Sequence, residues 1–353
     1  MVQLQSCLFK EEMSMKKPFG TMSDGKPAFL YTITNGTITA EISDCGATLV
    51  RLFVPDAKGC MADVVLGFDK PCDYIASGTF FGATVGRNSN RIGGAAFPLN
   101  GKVYPIDPND NEINNLHSGF DPFKNRLWEV LWQESNSICL RIDSPDGDQG
   151  FPGNAQIRVT YTLDSTNSLC IAYDAVCDKD TVFNMTNHSY FNLAGHDRPE
   201  EAMKQVLSAP ARFFVVTDPL AIPTGELREV AGTPMDFRLP KPIGQDIDQP
   251  YEAMNILGGY DHCFEAFTAP CAILSHPESG RTMAVYTDCC GFQLYAGNFL
   301  KGEIGKDGVS YIHRGGVCLE TEYYPDCVHH PDWPQPITKA GVPYHSETRY
   351  KFN

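Results

Sequence analysis

In residues 156–163 of this chain, Gln-Ile-Arg-Val-Thr-Tyr-Thr-Leu, apolar side chains fall at every second position, the period of a strand with one buried face. The next run repeats the pattern with Leu169, Ile171, Tyr173 and Ala175. Asp164-Ser165-Thr166-Asn167 between them supplies turn chemistry, which predicts an antiparallel hairpin. Asn35-Gly36 and Asn100-Gly101 each separate strand-like runs, and because both residue types tolerate positive φ, each pair predicts a two-residue hairpin turn. Helical periodicity is scarce: 25 Pro and 31 Gly spread over 353 residues interrupt most windows that a long helix needs. Only short helices near Lys70 to Tyr74 and Glu200 to Gln205 are expected. The fold class that follows is all-β, a large antiparallel β-sandwich with few short helices. No linker, composition break or fixed repeat divides the chain. Residues 21–353 are therefore expected to form a single domain, and residues 1–20 a loosely ordered N-terminal extension.

A formal charge of −15 repels phosphate backbones and anionic lipid, which argues against nucleic acid as a partner and favours an uncharged ligand over a phosphorylated one. No stretch approaches the roughly 18 apolar residues of a spanning helix, so no membrane association is expected. The first 17 residues lack the apolar core of a secretory signal. Thirteen cysteines, an odd number without paired Cys-x-x-Cys motifs, suit a reducing compartment, and a cytoplasmic location is expected. Cys139, Cys170 and Cys318 sit in strand-like apolar segments and read as small core side chains. The oligomeric state has no signature in the sequence, and a monomer is the default.

Two histidines and a late carboxylate carry the chemistry: His117 in Asn115-Leu116-His117, His188 in Asn187-His188-Ser189-Tyr190-Phe191-Asn192, and Glu320 in Leu319-Glu320-Thr321-Glu322. Imidazole and carboxylate are the side chains most readily tuned to exchange protons near neutral pH. A carboxylate among Val317, Leu319 and Tyr323, on an otherwise apolar strand, needs a reason to be there. No nucleotide motif and no metal-ligand set competes, and neither cofactor nor metal is expected. Asp146-Gly147-Asp148 lacks the ligand series of a calcium loop, and His329-His330 alone does not make a metal site.

At these residues the chain resembles the aldose 1-epimerase family, also called galactose mutarotases. The matching segments are Val85-Gly86-Arg87-Asn88-Ser89-Asn90-Arg91-Ile92, Asn115-Leu116-His117, residues 144–154, residues 186–195, Gly259-Tyr260-Asp261-His262, residues 293–299 and Leu319-Glu320-Thr321-Glu322. They occur in the family's order and cover the chain from about Pro27 to its end. The resemblance implies a β-sandwich of the galactose mutarotase type with an open sugar cleft, and interconversion of the α and β anomers of free aldohexoses such as galactose and glucose. It implies Glu320 as general base and His188 as general acid, with Asn90, Arg91, His117, Asp261 and Gln293 holding sugar hydroxyls. Attraction between the opposed pair is expected to lower the Glu320 pKa and raise that of His188. Asn88-Ser89 stands where the family has a small apolar pair, and Ser118 where it has glycine.

Two rivals share this fold. A hexose-6-phosphate 1-epimerase needs clustered cations, for which Arg87 and Arg91 are the candidates. A catalytically silent sugar-binding protein needs hydroxyl contacts without a matched acid and base. Phe299 and Trp333 are the aromatic candidates for stacking on a sugar face.

Overall fold

The computed structural model describes residues 15–353. The alternation in residues 156–175 becomes the antiparallel pair Ala155–Leu163 and Ser168–Cys177, in register from Leu163 opposite Leu169 to Ala155 opposite Cys177. Ile157, Val159, Tyr161 and Leu163 are buried, while Gln156 and Arg158 face solvent. Asp164 closes the turn by accepting the backbone N–H groups of Thr166 and Ser168.

This hairpin lies within a nine-stranded sheet ordered Glu129–Gln133, Ser137–Ser144, Ala155–Leu163, Ser168–Cys177, Tyr344–Phe352, Thr282–Thr287, Ala272–Ser275, Val206–Ser208 and Lys241–Pro242. A six-stranded sheet runs Tyr190–Phe191, Val317–Glu322, Gly291–Tyr295, Asp261–Glu265, Phe213–Thr217 and Pro223–Glu229. The two pack face to face. The Tyr350 hydroxyl of the larger sheet donates to the Leu319 carbonyl of the smaller at 2.9 Å, the Thr321 and Thr348 hydroxyls meet, and the Phe191 and Tyr350 rings lie 5.0 Å apart. A meander of five strands from Lys16–Thr21 to Met61–Asp63 adds Ile42 and Leu52 to the same apolar cluster as Ile157, Val159, Leu294 and Leu319. The all-β sandwich expected from the alternation is the architecture found.

Asn100-Gly101 is a two-residue turn: Leu99 pairs with Lys102, and both turn residues have positive φ. Asn35-Gly36 is not. Thr34 pairs with Thr39, leaving a four-residue loop in which Asn35 Oδ1 accepts the N–H groups of Thr37 and Ile38, an Asx turn that replaces the tight one. The helix near Lys70 is α-helical over Pro71–Ala76, that near Glu200 is a 3-10 helix over Pro199–Lys204, and a further α-helix, Glu252–Leu257, was not expected. The expected loose extension falls outside the described residues as far as residue 14. Its last part is ordered instead, because Lys16–Thr21 pairs with Pro27–Thr34 and the Lys16 ammonium sits 3.9 Å from the Phe29 ring centroid. The described cysteines, Cys289 and Cys290 included, are thiols, and Cys139, Cys170 and Cys318 are buried.

Arg87 is buried. Its guanidinium donates to the carbonyls of Ser144, Pro145, Pro152 and Gly153 and to the hydroxyls of Ser144 and Thr181. It thereby pins the loop containing Asp146 and Asp148, whose carboxylates pair with Lys179 and Arg126. A buried carbonyl left without its donor costs about 1–3 kcal/mol. Arg87→Met removes this donor from all four, although Pro145 keeps the Asp148 N–H and Pro152 the Cys177 thiol, so urea unfolding is expected to show a loss of about 2 kcal/mol or more; a loss under about 0.5 kcal/mol contradicts this role.

Candidate active site

The strand Val317–Glu322 is buried along its whole length. Alternation sends Leu319 and Thr321 toward the nine-stranded sheet and Cys318, Glu320 and Glu322 to the opposite face. Register then places their neighbours. Tyr190, Cys318, Tyr295 and Asp261 form one row across four strands, and Glu320, Gln293 and Cys263 form the next. Gln293 Nε2 donates to Asp261 Oδ1 at 2.7 Å, while Gln293 Oε1 is buried without a partner. His262, the next residue along, turns into the core and meets the Ala253 carbonyl.

Loops build the facing wall. His188 is held by backbone bonds from its N–H to Ala83 and from Gly82 to its carbonyl. Its ring lies between Phe80 and Tyr190, stacked at centroid distances of 6.0 and 5.1 Å. His188 Nε2 is 3.6 Å from Glu320 Oε2, and Nδ1 meets the Cys318 thiol. Asn90 and His117 lock together: the Asn90 N–H donates to His117 Nδ1 and the His117 N–H to the Asn90 carbonyl, both at 3.2 Å. That bond makes Nδ1 an acceptor, so neutral His117 carries its proton on Nε2. Arg91 Nε pairs with Asp110. Phe80, Asn90, His117 and Ser118 all have positive φ, a backbone cost for residues with a Cβ. Ser118 offsets its own by exchanging two hydrogen bonds between its hydroxyl and the Asn88 backbone.

The seven residues singled out in the sequence, Asn90, Arg91, His117, His188, Asp261, Gln293 and Glu320, all line one cleft of about 350 Å³, within the size range of small-molecule sites. Arg87 is not among them, so the two-arginine phosphate clamp does not form. Phe299 lines the cleft mouth, whereas Trp333 packs on Tyr324 and His330. His329 and His330 both face Asp326. Phe80, Tyr190 and Tyr295 also line the cleft and carried no signal in the sequence. The loop bearing Phe80 is anchored from below by the buried Lys124 ammonium, which donates to the carbonyls of Tyr74, Ile75 and Ser77. His188, Cys318 and Glu320 are close enough to share a cation, but burial and the Glu320 charge raise the Cys318 thiol well above its usual pKa, and a metal would have to displace that proton.

The family model for aldose 1-epimerase matches residues 30–351. Aldose 1-epimerase of Haemophilus influenzae is 38% identical over 93% of this chain and 97% of its own length, and galactose mutarotase of Bos taurus is 38% identical over 92% of this chain and 93% of its own. The chain belongs to the aldose 1-epimerase family. Its fold superposes on the aldose epimerase homologue of C. elegans with a TM-score of 0.86 at 30% identity, covering 92% of this chain and 99% of that one. Galactose 1-epimerase of Lactobacillus acidophilus gives 0.83 at 26% identity, with 96% and 98% covered. Enzymes of this family are isomerases.

In this family member the proton affinities of the central pair run against the expectation from mutual attraction. Burial, then the neighbouring Glu322 and Asp261 carboxylates, raise Glu320 well above the usual carboxyl range. Burial lowers His188 to about 4, and burial with His188 and Arg91 nearby holds His117 well below the usual imidazole value. Desolvation outweighs attraction because neither ring nor carboxylate meets bulk water. Burial thus favours the uncharged form of both partners over the ion pair. An NMR titration is expected to find the His117 and His188 rings neutral at pH 7, with His329, raised by its bond to Asp326, titrating above the ordinary value. A His188 ring that titrates at or above pH 6.5 contradicts this.

Proposed function

We propose that this protein interconverts the α and β anomers of free aldohexoses, galactose and glucose among them, by acid–base opening and reclosure of the hemiacetal ring. The observation that carries the reading is the 3.6 Å approach of His188 Nε2 and Glu320 Oε2 at the cleft. The anomeric hydroxyl oxygen and the ring oxygen are both bonded to C1, so the groups that serve them must themselves lie close together. Glu320 takes the proton of the C1 hydroxyl, the C1–O1 bond becomes a carbonyl, the bond from C1 to the ring oxygen breaks, and that oxygen takes a proton from His188. Rotation about C1–C2 presents the other carbonyl face. The same transfers run backward to close the ring with the opposite configuration.

The burial-favoured neutral pair fits this cycle at a definite point. Ring opening leaves Glu320 protonated and His188 neutral, the arrangement that a desolvated site prefers, so the open-chain complex is stabilised relative to the ring complex. The ring complex needs the charged arrangement. A hydroxyl donating to Glu320 and a ring oxygen accepting from His188 are the bonds that favour it. The Arg91 terminal nitrogens, Gln293 Oε1, Asp261 and the His117 Nε2–H are disposed to hold the other hydroxyls through the rotation.

A phosphosugar is disfavoured because Arg87 is spent on backbone carbonyls and Arg91 is paired with Asp110, while the lining otherwise offers the carboxyls of Asp261, Glu303 and Glu320 rather than further arginines. A single domain, a monomeric state and a cytoplasmic location belong to the same proposal. Burial of free thiols such as Cys263 and Cys318 as core side chains supports the last.

Polarimetry of freshly dissolved α-D-galactose is expected to show acceleration at catalytic protein concentration. Glu320→Gln and His188→Asn are each expected to lose at least about a hundredfold, the scale of a general acid or base. Binding of galactose without acceleration by the wild type overturns the reading in favour of a silent sugar-binding protein; acceleration confined to hexose 6-phosphates overturns it in favour of the phosphosugar.

A further inference from the structure

Behind Asn90 lies a second carboxylate, Glu322, that does not line the cleft and is only 1% exposed. No ion pair joins it among the described residues. Its Oε1 accepts from Asn90 Nδ2 at 3.0 Å, and Oε2 accepts the Ser89 hydroxyl. The direction of the first bond is fixed, because Asn90 Oδ1 is occupied by the Arg91 N–H at 2.9 Å and only the amide nitrogen remains to face Glu322. Asn90 in turn donates its own N–H to His117 Nδ1. A chain of hydrogen bonds therefore runs from Glu322 through Asn90 to both Arg91 and His117.

The same carboxylate sits two residues beyond Glu320 on the same strand face. Around it are the Asp261 and Glu320 carboxylates and the thiols of Cys263, Cys289, Cys290 and Cys327, and none of these brings a positive charge. A buried acid without a cation is costly if its only task is to accept two hydrogen bonds, which a neutral amide oxygen also accepts.

We propose that Glu322 is a positioning residue for the anomer interconversion, holding Asn90, and through it Arg91 and His117, against the cleft and standing as a second carboxylate beside Glu320 on the same strand face. The inference rests on the reading of the cleft given above. Burial sets Glu322 itself at about 8, so its charge develops on the alkaline side of neutrality. There it opposes ionisation of Glu320 and delays the loss of the last proton from the Glu320–His188 pair. Removing the charge lowers the Glu320 pKa and brings that loss to lower pH.

The test is the pH profile of kcat/KM for galactose mutarotation in wild type, Glu322→Gln and Glu322→Leu. Glutamine keeps an acceptor for Asn90 and can donate to the Ser89 oxygen, so it removes the charge and keeps the scaffold; its alkaline limb is expected about one pH unit below wild type. Leucine releases Asn90, and KM is expected to rise about tenfold with a smaller change in kcat, the mark of lost sugar binding. A glutamine variant whose limb superimposes on that of an active wild type overturns the proposal, and if the leucine variant fails to fold, the glutamine variant alone decides. A wild type that does not turn over sugar is the separate failure, that of the functional reading.

Discussion

Burial of the strand Val317–Glu322 on both faces is the constraint on which the site depends. One face is needed by the sandwich, where Leu319 and Thr321 meet the strand Tyr344–Phe352. The other is roofed by the loops that carry Phe80, Asn90, His117 and His188, so the carboxyls of Glu320 and Glu322 are withdrawn from water although they sit beside a cleft. A strand fixes side-chain position to its pleat, and the neighbouring strands fix it again through register. Glu320 therefore stands in a lattice with Gln293 and Asp261 that no local loop movement rearranges.

Desolvation also decides where protons reside. Three carboxyls lie together, Glu320 and Asp261 in the cleft and Glu322 behind it, and burial raises all three. The available cations do little to oppose this: Arg91 is partnered by Asp110, and both cleft imidazoles are driven toward the neutral form. The site thus starts in a low-charge state and becomes polarised by what enters it. A polyhydroxylated neutral ligand brings donors and acceptors without net charge, which suits such a site better than a phosphate does.

Much of this was legible in the chain, for physical reasons that differ by residue. The 156–175 hairpin and the Asn100-Gly101 turn are local events, set by side-chain period and by positive φ. The Asn35 turn was misjudged because its side chain competes with the tight turn by capping Thr37 and Ile38. The helix Glu252–Leu257 is only six residues long and follows Pro250, too brief to show a period. The seven cleft residues were legible through the resemblance. Phe80, Tyr190 and Tyr295 were not, since one aromatic in a strand or loop looks like any core aromatic until register places it. Arg87 looked like a phosphate ligand until its six bonds to one loop region and Thr181 were seen. The directions of the Glu320 and His188 shifts depend on how deeply the pair is buried and on Asp261 from another strand, neither of which adjacency in sequence encodes.

In the proposed reaction Glu320 and His188 together serve the two oxygens on C1 of a bound sugar. The most direct measurement is a crystal structure of Glu320→Gln with D-galactose at neutral pH. A pyranose is expected in the cleft with its anomeric hydroxyl within hydrogen-bond distance of residue 320, its ring oxygen facing His188 Nε2, and its remaining hydroxyls on Arg91, Asp261 and Gln293. A sugar bound with C1 directed out of the cleft, or seated away from His188, would contradict it.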